Sequence, residues 1–335
     1  MIMETINNPI VLQRADPFVY KHSDGYYYFT GSYPSYDRII LRRAKHLNDL
    51  QDAEEHAVWH KHSEGPQSDL IWAPELHRID GKWYIYYAAS PDDKIVDDTF
   101  NHRMYVLEND SDNPIEGEWK EKGQIDPGWS TFALDATTFE HDGVQYYVWS
   151  QQDLDITGHS NIYIAEMENP WTLAGPPVML TKPELSWEIR GFWVNEGPAV
   201  LIRNGKVFIT YSASATGVDY CMGMLTADED ADLLNTESWT KRQEPVFESY
   251  TPNEQYGPGH NSFTVSEDGN TDILIYHARN YTKIEGDPLY DPNRHARAQV
   301  ITWNEDGTPH FGVPAKDDRW TPDTPKILTK EDENE

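Results

Sequence analysis

Asn195-Glu196-Gly197-Pro198-Ala199-Val200-Leu201-Ile202-Arg203-Asn204-Gly205-Lys206-Val207-Phe208-Ile209-Thr210-Tyr211 sets a polar residue at the mouth of a short apolar strand, then an Asn-Gly turn, then an alternating strand rich in aromatic and β-branched residues. Asn-Gly or Asp-Gly between alternating apolar runs is the strongest short-range signal for a β-hairpin, because both turn residues take positive φ. The pattern occurs five times. Asp16 leads a copy turning at Asp24-Gly25, Trp72-Ala73-Pro74-Glu75 one at Asp80-Gly81, Asp135 one at Asp142-Gly143, and His260 one at Asp268-Gly269. The turn glycines at 25, 81, 143, 205 and 269 are 56, 62, 62 and 64 residues apart. A period of this size with a hairpin in each unit predicts an all-β, five-bladed β-propeller with four-stranded antiparallel blades. The repeats use positions 14 to about 316, so the expectation is one propeller domain over residues 1–335.

In a closed ring, equivalent positions face one axis. Asp16, Asp135, Glu196 and His260 are therefore expected in one register at one end of the central channel, although about sixty residues separate neighbours. Each also has a local setting. Asp16 precedes Pro17, which holds it extended. Asp135 interrupts the apolar run Phe132-Ala133-Leu134-Asp135-Ala136, where an uncompensated carboxylate is costly. Glu196 follows Phe192-Trp193-Val194, a desolvating environment that raises a carboxyl pKa as a general acid requires. Gly257-Pro258-Gly259 before His260 implies a close backbone approach. Each has a bland reading: an Asp-Pro turn opening, or a histidine satisfied in the core. The shared register favours a site. Trp72 at the channel mouth reads either as a platform for a sugar ring or as a core tryptophan.

The formal net charge of −30 argues against nucleic acid and anionic membranes as partners and fits a solvated acidic surface. Aromatic residues make up 13%, most of them expected in packing between strands. Cys221 is the single cysteine, excludes an intrachain disulfide and reads as a small buried hydrophobe. Residues 1–9 lack a basic stretch followed by an apolar core, and this places the chain in the cytoplasm as an expectation. The charged tail from Lys326 to Glu335 reads as frayed. No phosphate loop, helical His pair or Gly-x-Ser-x-Gly elbow occurs.

Two Asp and one Glu around a pocket with a histidine and aromatic rings suggest hydrolysis of a glycosidic bond. One carboxylic acid protonates the leaving oxygen, and a second carboxylate activates water or attacks the anomeric carbon. A third can tune the acid by like-charge repulsion. The rivals are a sugar-binding propeller without catalysis and a retaining enzyme like the sucrose-acting propellers.

Arg14-Ala15-Asp16-Pro17, Trp72-Ala73-Pro74-Glu75, Leu134-Asp135-Ala136, Asn195-Glu196-Gly197-Pro198 and Gly259-His260-Asn261-Ser262 together resemble glycoside hydrolase family 43, whose members include α-L-arabinofuranosidases, arabinanases and β-xylosidases. The resemblance covers nearly the whole chain. It implies Asp16 as general base, Glu196 as general acid and Asp135 as the residue that tunes and orients the acid. It implies inversion, with the Asp16 and Glu196 carboxyls roughly 6.5–9.5 Å apart. His260 resembles an axial histidine that in many members binds a central calcium or a water cluster; no cofactor is required for the chemistry. Trp72, Glu75, Phe192 and Arg294 are the substrate-binding candidates, with Arg279 and Arg297 competing for the role of the arginine near the acid. The expected substrate is an arabinose-containing oligosaccharide, cleaved by an exo-acting α-L-arabinofuranosidase. A β-xylosidase or endo-arabinanase is the alternative, to be decided by the loops at 92–103 and 281–294. The oligomeric state stays open.

Overall fold

The computed structural model describes residues 5–329, so residues 1–4 of the leading stretch 1–9 and residues 330–335 of the charged tail from Lys326 lie outside the described residues. The chain forms the five-bladed propeller. Blade one comprises Ala15–Lys21, Tyr27–Ser32, Arg38–Ala44 and His56–His60; blade two comprises Asp69–Ile79, Lys82–Ser90, Arg103–Asn109 and Lys120–Gln124. Blade three runs through Ala133–His141, Val144–Gln151, Asn161–Asn169 and Val178–Thr181; blade four through Asn195–Arg203, Lys206–Ala213, Cys221–Asp228 and Thr240–Lys241. Blade five has Tyr256–Val265, Asp272–Arg279 and His295–Val300. Ile10 and Val11 bond to Ala296 along its outer edge, which fastens the start of the chain to the last blade and closes the ring. The expected continuation of this blade through residues 302–311 is instead a separate two-stranded sheet, Thr302–Trp303 with Pro309–His310.

Period-two alternation buries both faces of every blade. Among the described residues the apolar core divides into five clusters, one in each seam between blades. Tyr27 and Phe29 pack against Ile273 and Ile275 of blade five, while Tyr28 between them packs against Trp83 and Ile85 of blade two. Ile273 and Ile275 face blade one, while Leu274 and Tyr276 meet Phe208 and Met222 of blade four. Cys221 is buried in the seam between blades three and four.

Three of the five hairpins are the two-residue turns that their sequences imply. Asp80-Gly81, Asp142-Gly143 and Asn204-Gly205 all take positive φ. In blades one and five the loops are longer, joining Lys21 to Tyr27 and Val265 to Asp272, so Asp24 and Asp268 need no positive φ. Their carboxylates cap the loop instead, Asp24 accepting from the amide of Tyr26 and Asp268 from that of Asn270.

Candidate active site

Every inner strand carries a bulge at its entry. Register shifts fall at Ala15/Phe18, Trp72/Glu75, Leu134/Thr137, Glu196/Ala199 and Gly259/Ser262. At each bulge one residue adopts the left-handed region: Asp16 (φ 54), Ala73 (φ 46), Asp135 (φ 57), Gly197 (φ 56) and His260 (φ 43). An extra residue in one strand breaks the pleat and re-aims the side chains beside it. Positive φ at a non-glycine residue is costly and persists where the surroundings over-determine it, as at functional sites. The repeating position is thus 16, 73, 135, 197 and 260, and Glu196 precedes it by one residue. This corrects the expectation of a single register. Gly197 takes the repeat position because a side chain there would press on His260, whose Cγ lies 3.2 Å from where a Cβ would sit.

Asp16, Asp135, Glu196 and His260 line one cavity of about 350 Å³, at the lower end of the range for ligand pockets. Asp16 is held on several sides. Ser32 Oγ donates to Oδ2 at 2.5 Å and Arg294 Nη1 approaches Oδ1 at 3.4 Å. His260 Nδ1 stands 3.3 Å from Oδ1, and the Asp16 amide donates to His277 Nδ1 at 3.0 Å. Burial alone would raise this carboxyl, but His260, Arg294 and His277 hold it well below the ordinary carboxylate value. Burial also lowers both imidazoles, His277 to about 3, so Arg294 is the lasting positive charge at neutral pH.

The other two carboxyls move the opposite way. Burial pushes Glu196 up to about 7, with Asp16 adding to the rise and the Tyr220 hydroxyl and Arg294 opposing it. Tyr220 Oη donates to Glu196 Oε1 at 2.8 Å. Asp135 is raised well above its ordinary value by burial and by the charges of Glu196 and Asp16, although it accepts the amide of Gly197 at 3.1 Å. Carboxyl groups in one pocket with pKa values pushed apart are the signature of an acid and a base with separate roles.

The substrate-binding candidates separate. Trp72 lines the pocket, stacked on His102 with ring centroids 3.9 Å apart and edge-on to Tyr36 and Phe100. Phe192 lines it as well, stacked on His159 at 3.7 Å. Glu75 does not line the cavity: it is buried against His77, two residues on along the same strand face, Oε2 to Nε2 2.8 Å. Arg294 is the arginine of the site, beside the candidate base rather than the acid, with Nη2 donating to the Tyr36 hydroxyl at 3.0 Å. Arg279 binds the carbonyls of Thr216 and Pro288, and Arg297 binds Asp317, so neither competes. Calcium takes six to eight oxygen ligands. Among the described residues no group of three or more His, Cys, Asp or Glu side chains is placed to hold a metal ion, and His260 turns Nδ1 to Asp16 and Asp135. The residues present do not fit a protein-built calcium centre at His260.

Sequence reasoning missed Tyr220, His277, Ser32 and Tyr36. Ser32 ends the second strand of blade one and His277 lies two residues before the end of that of blade five, beside bulged inner strands, and that position was their only signal. Both loops singled out earlier wall the pocket. The first folds as a small hairpin, Ile95–Val96 with Thr99–Phe100, and the second brings Pro288 and Leu289, whose carbonyl accepts the Tyr36 hydroxyl.

Residues 6–309 match the model of glycosyl hydrolases family 43. The chain is 55% identical over 313 residues to an extracellular exo-α-(1→5)-L-arabinofuranosidase of Streptomyces avermitilis, covering 93% of this chain and 64% of that one. It is 53% identical over 311 residues to α-L-arabinofuranosidase 43 of Humicola insolens, covering 92% and 64%. It thus spans about 64% of the length of these two relatives. The crystal structure of an α-L-arabinofuranosidase from Lactobacillus brevis superposes with a TM-score of 0.92 at 60% identity, over 93% of this chain and 97% of that one. The cytoplasmic expectation is overturned: the Streptomyces avermitilis relative and one from Streptomyces chartreusis both bear the name extracellular. The absence of an apolar core in nine leading residues was too little to place the protein. With its five bulged blades, its carboxyl cluster and a family match spanning nearly the whole ring, the chain belongs to glycosyl hydrolases family 43.

Proposed function

We propose that the protein is an inverting, exo-acting α-L-arabinofuranosidase that releases arabinose from arabino-oligosaccharides. The observation that carries this reading is the opposed pair in one pocket, Asp16 held ionised and Glu196 pushed up to about 7. Asp16 takes a proton from water as its oxygen adds to the anomeric carbon, and Glu196 gives its proton to the leaving glycosidic oxygen as that bond breaks. Asp135 helps to orient the acid by accepting the amide of Gly197, the residue after Glu196, while burial and the charges of Glu196 and Asp16 push its own carboxyl up. Exo action is supported by the small cavity with Leu289 and the 95–100 hairpin in its walls, which suits one terminal sugar better than a through-running chain. The arabinoside preference is supported by the names of the relatives at 48–55% identity.

The test is turnover of 4-nitrophenyl α-L-arabinofuranoside and β-D-xyloside by wild type and Glu196→Ala, with the anomer of the first product read by NMR. Arabinoside turnover lost in the variant, with β-arabinose released first, is expected. A better xyloside rate overturns the substrate, α-arabinose as first product overturns inversion, and undiminished turnover in the variant overturns the acid.

A further inference from the structure

We propose that Tyr220 is a positioning residue for the general acid, holding the Glu196 proton on Oε2 and stabilising the carboxylate that forms as this proton leaves. The inference rests on Glu196 being the acid. Tyr220 lies just before the third strand of blade four and is buried, its hydroxyl donating to Glu196 Oε1 at 2.8 Å. In a neutral carboxylic acid the oxygen that accepts such a bond is the carbonyl oxygen, and the proton sits on the other. As the glycosidic bond breaks, the Oε2 proton goes to the leaving oxygen and negative charge develops on Glu196. The Tyr220 hydroxyl is then a fixed donor aimed at that charge.

The fold builds a seat for this ring. A methyl group at Gly259 would lie 2.5 Å from Tyr220 Cε1, so the glycine is what admits the ring. Gly257, at φ +61, passes so close that a methyl group there would meet the Gly217 carbonyl at 2.2 Å and Tyr220 Cβ at 3.5 Å. The Gly257-Pro258-Gly259 approach visible in the sequence is therefore an approach to Tyr220. On another side the ring stacks on His277, centroids 5.7 Å apart and planes 12° apart, and His277 accepts the backbone amide of Asp16. One packed unit thus fixes the hydroxyl relative to both the acid and the base.

Tyr220→Phe removes one oxygen and keeps the ring. A hydrogen bond to a charged group is worth enough to move the acid by about one to two pH units, so the alkaline limb of kcat is expected to rise by that amount. The expected fall in kcat is about ten- to a hundredfold on arabinobiose, whose leaving alkoxide requires the proton. It is much smaller on the 2,4-dinitrophenyl arabinofuranoside, whose phenolate leaves without it. Replacing Tyr220 by 3-fluorotyrosine, a stronger donor, moves the limb down and tests the bond even where the phenylalanine variant misfolds. Equal losses on both substrates with an unmoved limb, or no loss, overturn the proposal, as does an unshifted limb with fluorotyrosine. Wild-type inactivity on every glycoside overturns the functional reading and this inference together. An active wild type with an unaltered Tyr220→Phe profile overturns the inference alone. If the xyloside is the better substrate, the same comparison on xylosides decides it.

Discussion

Glu196→Gln tests the central electrostatic argument most directly. Burial raises the Glu196 carboxyl from its ordinary 4.5 to about 7. At pH 7 about half the molecules then carry the catalytic proton, against about 0.3% for an unperturbed glutamic acid, a gain of roughly 150-fold in competent enzyme. Asp16, held well below 3.8, is ionised over the same range. The product of the two states gives a bell-shaped kcat/KM whose alkaline midpoint lies at about 7. Glutamine keeps the shape and an oxygen to accept the Tyr220 hydroxyl, but has no proton to give. The expected loss is about 10²- to 10⁴-fold on arabinobiose, together with disappearance of the alkaline limb. Initial rates of arabinose release between pH 4 and 9 would measure both. A wild-type midpoint near 4.5, or an alkaline limb that survives unchanged in Glu196→Gln, refutes the assignment.

Two more outcomes follow from the same charges. A carboxyl raised by folding contributes stability that is complete below its ordinary pKa and lost as pH climbs through the folded value, for Glu196 between 4.5 and about 7. Calorimetry should therefore find Glu196→Gln more stable than wild type at pH 8, by up to about 3 kcal/mol, and equal to it at pH 4; a matching pair of melting temperatures at pH 8 contradicts this. Arg294→Gln removes the lasting charge 3.4 Å from Asp16, leaving burial less opposed, so the acidic limb of kcat/KM should move up. A shift of about one to three pH units is expected, and an unmoved acidic limb would transfer the effect to the two imidazoles.

Fold and site were legible to different depths, and particular residues show why. Asn204-Gly205 and its four counterparts report their hairpins because turn chemistry is local. Tyr27, Tyr28 and Phe29 announce a strand buried on both faces by their succession, although only the ring reveals that alternate residues belong to different seams. Asp16, Asp135 and His260 were brought together by the repeat itself. Glu196 was found one place out of register, because a bulge leaves no mark in the spacing of polar and apolar residues. Glu75 followed its motif into the candidate set and proved to face His77.

The sequence by itself determined the number of blades, the order of their strands and the end of the channel at which the acids meet, since period-two alternation, turn pairs and a repeat near sixty residues can all be read along one dimension. Beyond the rise of Glu196 that its apolar lead-in already implied, the tertiary structure decided how the carboxyls are protonated. That depends on which groups stand within a few ångströms, and these come from far along the chain: Tyr220 beside Glu196, Arg294 and His277 beside Asp16, the last two more than 250 residues away. Burial and charge act through space, so two carboxyls at the same position of the repeat, Asp16 and Asp135, end with their pKa values displaced in opposite directions.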